Sequence, residues 1–79
     1  MPRKPRITGK EFAAALQKLG WKPLRQRGSH AQFGHPNKPE ARVTLPLHVG
    51  LVLPPKTMAS ALSQAGLTFE ELLRALKRG

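Results

Sequence analysis

Three segments of the chain carry apolar residues at helical spacing. The first has four of them at i, i+3, i+4 and i+7, which places them on one stripe of a helix: Phe12, Ala15, Leu16 and Leu19. Segments 58–65 and 69–76 repeat this spacing. Gly20 and Gly66 follow the first two segments, at the position where glycine commonly ends a helix. The pattern predicts three amphipathic helices, none of which can bury its apolar stripe alone.

Two of these helices are preceded by capping signals. Thr8 stands three residues before Glu11, and Thr68 stands three residues before Glu71. A threonine and a glutamate at this spacing satisfy each other's free backbone N–H groups at a helix start. The first helix is therefore predicted to begin after Thr8, and the third to occupy 68–78.

Between the first two helices, glycine and proline divide the chain into short pieces. Strands are predicted over about 21–26, 29–35 and 42–46, joined by a tight turn at Arg27-Gly28 and by a longer loop from Pro36 to Glu40. Connections this short join antiparallel neighbours, so the three strands are expected to form a meander.

Side chains of the second and third predicted strands alternate between two chemically different faces. One face collects apolar residues: Ala31, Phe33, Val43 and Leu45. The other collects basic and polar residues: His30, Gln32, Arg42 and Thr44. We therefore predict an α+β fold in which the helices pack on the apolar face of a three-stranded antiparallel sheet and leave the other face open.

Chain length and the first residues set the domain organisation. Residues 1–6 contain three basic residues and two prolines with no apolar anchor, and are predicted to be a flexible basic arm. The whole chain has 79 residues, which supply only one small core. Residues 7–79 are therefore predicted to form a single domain.

Charge narrows the choice of partner. Fourteen Lys and Arg stand against four Glu and no Asp, so the net charge is +10. A polyanion is the expected partner, with nucleic acid first and an acidic protein or a membrane surface after it. The chain has no Cys, and its apolar runs are far too short to span a membrane. A soluble cytoplasmic protein without disulfides is expected.

The scarcity of acidic residues excludes several catalytic designs. Glu11, Glu70 and Glu71 are accounted for by helix starts, which leaves Glu40 alone. Two-metal nucleases need clustered carboxylates, and a serine triad needs an acid beside its histidine. We therefore expect neither a metal site nor a cofactor, and histidine remains as the candidate catalytic residue.

His30 is the best-placed histidine, because it is predicted to lie mid-strand on the open basic face. An imidazole changes charge near neutral pH, which suits a general acid or base. Five neighbours are candidates for phosphate binding: Lys22, Arg25, Arg27, Ser29 and Arg42. The alternatives are an exposed histidine without a role and an ordinary solvated charged face. Trp21 is expected to cover the core rather than stack on a base, and His35 and His48 to be structural or incidental.

Several runs of the sequence together resemble the HicA family, the mRNA interferase toxins of bacterial HicAB toxin–antitoxin systems. These runs are Gly20-Trp21, Arg25 to Phe33 followed by His35-Pro36, Val43 to His48, and Thr57 to Gly66. The resemblance covers about residues 7–68. It implies a double-stranded-RNA-binding-domain-like α-β-β-β-α fold, metal-independent RNA cleavage with the catalytic histidine at His30, and neutralisation by an acidic HicB-like antitoxin.

Two features depart from the family pattern. Segment 50–55 is apolar where the family has polar residues and a lysine, which suggests an apolar partner surface. The helix over 68–78 is longer than the pattern requires and could serve a homodimer or contact the antitoxin. Two further hypotheses compete with the nuclease: a non-catalytic double-stranded-RNA-binding module, and a protein whose charge serves only to bind an acidic partner.

Overall fold

The computed structural model describes residues 6–47 and 52–77. Its elements follow one another in this order: α1 (Gly9–Lys18), β1 (Lys22–Arg27), β2 (His30–His35), β3 (Lys38–Pro46), α2 (Pro55–Ala65) and α3 (Phe69–Lys77). The sheet is antiparallel, with strand order β1-β2-β3. This confirms the predicted α+β fold, an α-β-β-β-α arrangement with an additional C-terminal helix.

Both predicted capping boxes are present. The Thr8 hydroxyl accepts the Glu11 N–H (3.1 Å), and the Glu11 carboxylate accepts the Thr8 N–H (2.9 Å). Thr68 and Glu71 make the same pair of bonds at the start of α3, at 3.1 and 2.8 Å. These reciprocal bonds explain why α1 and α3 begin where they do.

The capping box of α3 predicts a pH-dependent contribution to stability. Hydrogen bonds from the Thr68 N–H and then its hydroxyl lower the pKa of Glu71 below its ordinary value of 4.5, and Arg74 and Lys38 add smaller effects. Because the pKa is lowered in the folded state, the stabilisation is full above pH 4.5 and is lost as the pH falls through the lowered value.

Glu71→Gln keeps an acceptor oxygen but removes the charge. We expect the variant to be less stable than the parent protein at neutral pH, and the gap to close in acid. Urea unfolding midpoints of the two proteins, measured at neutral pH and again in acid, give this difference in stability. Glu70→Gln, in the same helical turn, is the control and should show a smaller gap. A Glu71→Gln gap that does not change with pH would contradict the assignment.

Two connections of the sheet differ from prediction. The loop predicted from Pro36 to Glu40 is instead a two-residue turn, because β3 already begins at Lys38, which pairs with His35. The pairing is irregular between Phe33 and His35, where β3 contains extra residues. Such a bulge on an edge strand accommodates a proline, which a regular central strand would exclude. The first turn lies one residue later than predicted, at 28–29.

The core lies between the helices and the apolar face of the sheet, as predicted. Its largest fully buried side chains are Phe12, Phe33, Leu16, Leu45, Leu72 and Val43. Trp21 is only 3% exposed, which confirms its place over the core. The side chain of Gln64 in α2 accepts the backbone N–H of Thr44 (3.1 Å). This bond satisfies a donor of the edge strand β3.

Part of the apolar segment 50–55 belongs to the core. Leu53 is 3% exposed and donates its N–H to the Ile7 carbonyl (2.8 Å). A partner surface at Leu53 is therefore wrong, because this side chain is already buried. His48, Gly50 and Leu51 lie outside the described residues. None of the described helices combines the length and the apolar character needed to cross a bilayer.

Candidate functional site

His30 is exposed, as predicted, but it is the first residue of β2 rather than a mid-strand residue, because the β1–β2 turn occupies 28–29. Its neighbours Ala31 and Phe33 are buried in the core, so alternation places His30 on the opposite face, which we call the open face. In the sheet register, His30 lies across from Arg27 of β1 and Pro46 of β3. The imidazole is thus held by a paired strand and remains accessible to solvent.

A bulge at Leu24 determines which side chains of β1 share this face. Lys22 pairs with Gly34, but the next pairs skip Leu24, so that Arg25 pairs with Gln32. Without the extra residue, Lys22 and Arg25 would point to opposite sides of the sheet, because they are an odd number of positions apart. The bulge therefore brings Lys22, Arg25 and Arg27 to the open face together.

A shallow cavity of about 210 Å³ surrounds the histidine, and we call it the histidine cavity. It is lined by Arg25, Arg27, His30, Ala31, Gln32 and Thr44. Two guanidinium groups and an imidazole therefore share one concave surface, and none of these lining residues is acidic. Such a surface favours an anion, and arginine is well suited to binding a phosphate through two parallel hydrogen bonds.

The other predicted phosphate-binding residues lie elsewhere. Lys22 and Arg42 line a second cavity of about 290 Å³, the rear cavity, at the other end of the open face. The Arg42 Nη1 donates to the carbonyls of Pro39 and Ala41, both at 2.8 Å. Ser29 is half-buried in the β1–β2 turn, where its carbonyl accepts the N–H of Leu47, and it lines neither cavity.

His35 has a structural environment, in contrast to His30. Its Nδ1 accepts the Asn37 N–H (3.1 Å), which leaves Nε2 to donate to the Leu19 carbonyl (3.1 Å). The ring also packs edge-on against Trp21, with centroids 5.2 Å apart. Gly20 has φ 100°, a backbone conformation that other residues rarely adopt, and a Cβ there would lie 2.7 Å from His35 Nε2. Both the backbone conformation and the close approach of His35 therefore require glycine.

The described residues include no group of three or more His, Cys, Asp or Glu side chains that could hold a metal ion. At the histidine cavity, one imidazole, a group that can accept or donate a proton, lies beside two guanidinium groups.

Sequence reasoning missed two polar lining residues of the histidine cavity, Gln32 and Thr44. Gln32 and Thr44 were placed on the correct face by alternation, but neither was selected as a site residue. The register now shows them side by side, since Gln32 pairs with both Arg25 and Thr44. Their common face and adjacent strands were the signal that could have identified them.

Comparison with known proteins bears on this arrangement. A family model described as HicA toxin of bacterial toxin-antitoxin matches residues 9–67. This range contains α1, the whole sheet, α2 and every lining residue of the histidine cavity. A search of curated proteins found no match.

Proposed function

We propose that this chain, which belongs to the HicA toxin family of bacterial toxin–antitoxin systems, is an endoribonuclease that cleaves RNA without a metal ion. Membership implies an RNA substrate and an antitoxin partner. The observation that supports the mechanism most directly is the exposed imidazole of His30, which shares a cavity with Arg25 and Arg27.

The proposed reaction uses the 2′-hydroxyl of the RNA as its nucleophile. His30 removes the proton from this hydroxyl, or protonates the leaving 5′-oxygen. The 2′-oxygen forms a bond to the adjacent phosphorus as the bond from phosphorus to the 5′-oxygen breaks. The products are one fragment ending in a 2′,3′-cyclic phosphate and one beginning with a 5′-hydroxyl. No added nucleophile is required for this step, and solvent water accepts or supplies the proton that His30 does not transfer.

Arg25 and Arg27 are proposed to stabilise the negative charge that develops on the phosphorane oxygens. Fixed positive charges aimed at a developing anion are among the most effective catalytic devices in proteins. Arg42 is the weaker candidate for this role, because two of its hydrogen bonds go to the carbonyls of its own strand. Lys22 and Ser29 are proposed to contact RNA outside the histidine cavity.

The antitoxin is proposed to be an acidic HicB-like protein. The chain carries a net charge of +10, and the open face presents Lys22, Arg25, Arg27 and Arg42. An acidic partner would associate quickly with such a surface and would compete with RNA for it.

The purified protein tests the proposal directly. Incubated with RNA in EDTA, it is expected to yield fragments of defined length whose upstream pieces end in a cyclic phosphate. Mass spectrometry of the fragments identifies these termini. Cleavage that requires added Mg²⁺ would contradict the mechanism. Intact RNA that migrates as a complex would instead favour the non-catalytic RNA-binding module, and a flat response of binding to salt would favour a protein that binds only an acidic partner.

A further inference from the structure

The rear cavity combines an apolar floor with flanking positive charge on the same face as His30. We propose that it binds one unpaired nucleotide of the RNA, next to the segment held at the histidine cavity. This inference rests on the proposed function for its substrate class, and it assigns a binding role to Leu24 together with Lys22 and Arg42.

The floor of the rear cavity is built by Leu24 and Gly34. Leu24 occupies the bulge of β1 and is 52% exposed, more than Leu19 or Val52, the other exposed large apolar side chains among the described residues. Its side chain lies over Gly34, because a Cβ at Gly34 would be only 2.7 Å from Leu24 Cδ1. A glycine here lets Leu24 lie flat against the strand.

The walls of the rear cavity suit a nucleobase and a phosphate together. Pro36 and Pro39 add apolar surface to Leu24, and Lys22 and Arg42 add positive charge. None of its lining residues is acidic. The bonds from Arg42 to the carbonyls of Pro39 and Ala41 use only Nη1, and its other N–H groups have no hydrogen-bond partner among the described residues, so they can donate to a phosphate. Proteins bind single-stranded nucleic acid with a positively charged groove and with side chains, usually aromatic, on which the bases lie. In the rear cavity, Leu24 and the two prolines provide the surface for a base.

The two cavities lie along one strand of the same face. His30 and Gly34 are four residues apart on β2, or about 13 Å along a strand, and Gln32 lies between them. A single strand of a few nucleotides spans this separation. Bases in a duplex are stacked and paired, so an apolar floor can contact a base only where the RNA is unpaired. The geometry therefore points to single-stranded RNA that runs along β2.

Two substitutions with matched controls test the proposal. Lys22→Gln removes one charge from the rear cavity, and its control is Lys10→Gln on α1. Leu24→Ala removes the apolar floor, and its control is Leu19→Ala, the other exposed leucine among the described residues. Binding is measured with a short single-stranded RNA that carries 2′-O-methyl groups, which prevents cleavage, and cleavage is measured with the unmodified RNA.

The affinity for RNA falls as the salt concentration rises, and we expect Lys22→Gln to make the slope of log affinity against log salt shallower by about 0.7. Leu24→Ala should raise both Kd and KM about fivefold while kcat stays the same. With duplex RNA, Leu24→Ala should have no effect. Both control variants should match the parent protein.

The inference would be overturned if Lys22→Gln had the salt slope of its control and Leu24→Ala had the KM of its control. It would also be overturned if Leu24→Ala weakened the binding of single-stranded and duplex RNA equally. The binding arm does not depend on cleavage. If the parent protein binds but does not cleave, the proposed nuclease fails while the nucleotide site is still tested by the modified RNA.

Discussion

Replacement of His30 by alanine is expected to lower kcat for RNA cleavage by about 10²- to 10⁴-fold, the usual contribution of a general acid or base. The fold should be unaffected, because the side chain is exposed and lies on the open face rather than in the core. RNA affinity should also remain, since the proposed phosphate contacts come from Arg25 and Arg27. Single-turnover cleavage rates, together with binding of uncleavable RNA, measure these quantities separately.

His35→Ala is the comparison for the stability part of this experiment. His35 is half-buried, bonds to Leu19 and Asn37 and packs against Trp21, so its replacement by alanine removes all three contacts. We expect a loss of about 1–3 kcal/mol of stability, whereas His30→Ala should keep the unfolding midpoint of the parent. A folded His30→Ala protein that cleaves RNA at the parent rate would show that another group carries the proton.

The contrast between His30 and His35 could be predicted from the sequence only in part. Alternation along β2 assigned the two histidines to opposite faces, because they are an odd number of residues apart. The basic neighbourhood then favoured His30 as the functional residue. The hydrogen bonds that make His35 structural depend on the chain ends of α1 and β2 meeting, and no local pattern encodes that contact.

The helices were predictable for a simple physical reason. Apolar stripes, capping threonines and a terminal glycine are all local signals, and each acts within about one or two turns of helix. Gly66 illustrates this, since it ends α2 with φ 68°, a conformation that glycine adopts without strain. Thr8 and Thr68 illustrate it at the opposite ends of their helices.

The sheet register was less predictable, because it depends on pairing between segments. Pro23 and Pro39 are typical strand breakers in isolation, but each occurs in an edge strand. The pairing is irregular directly after Pro23 in β1, and in β3 the irregular stretch includes Pro39. The bulge at Leu24 then changes which face Arg25 occupies. Composition could therefore indicate a basic site, whereas only the pairing shows which cations share a cavity with His30.

Arg42 shows the same limit at the level of one side chain. Its position opposite the apolar residues of β3 correctly placed it on the open face. At the irregular start of β3, however, the Arg42 guanidinium donates to two backbone carbonyls. The Arg42 side chain lines the rear cavity rather than the histidine cavity. A basic residue on the right face can thus belong to a different subsite from the histidine.

Any side chain in place of Gly9 in α1 is expected to destabilise the fold. A Cβ at Gly9 would overlap the carbonyl oxygen of Pro46 and lie 3.0 Å from its carbonyl carbon. Both atoms belong to the backbone at the end of β3, so neither can move aside as a flexible side chain could. Helix propensity alone favours alanine over glycine by up to about 1 kcal/mol. Propensity therefore predicts that Gly9→Ala stabilises the protein, whereas packing predicts that it destabilises it.

We expect packing to dominate, since forcing extra volume against backbone costs about 1–3 kcal/mol or more. Gly9→Ala should therefore lower stability by about 2 kcal/mol and Tm by roughly 10–15 °C in a domain of this size. Lys10→Ala, at the next and exposed position of the same helical turn, is the control and should leave Tm nearly unchanged. Thermal unfolding followed by circular dichroism compares the two variants. A Gly9→Ala protein as stable as the parent would mean that α1 does not pack this closely against β3, and the open face would then lose one of the contacts that hold its final strand in place.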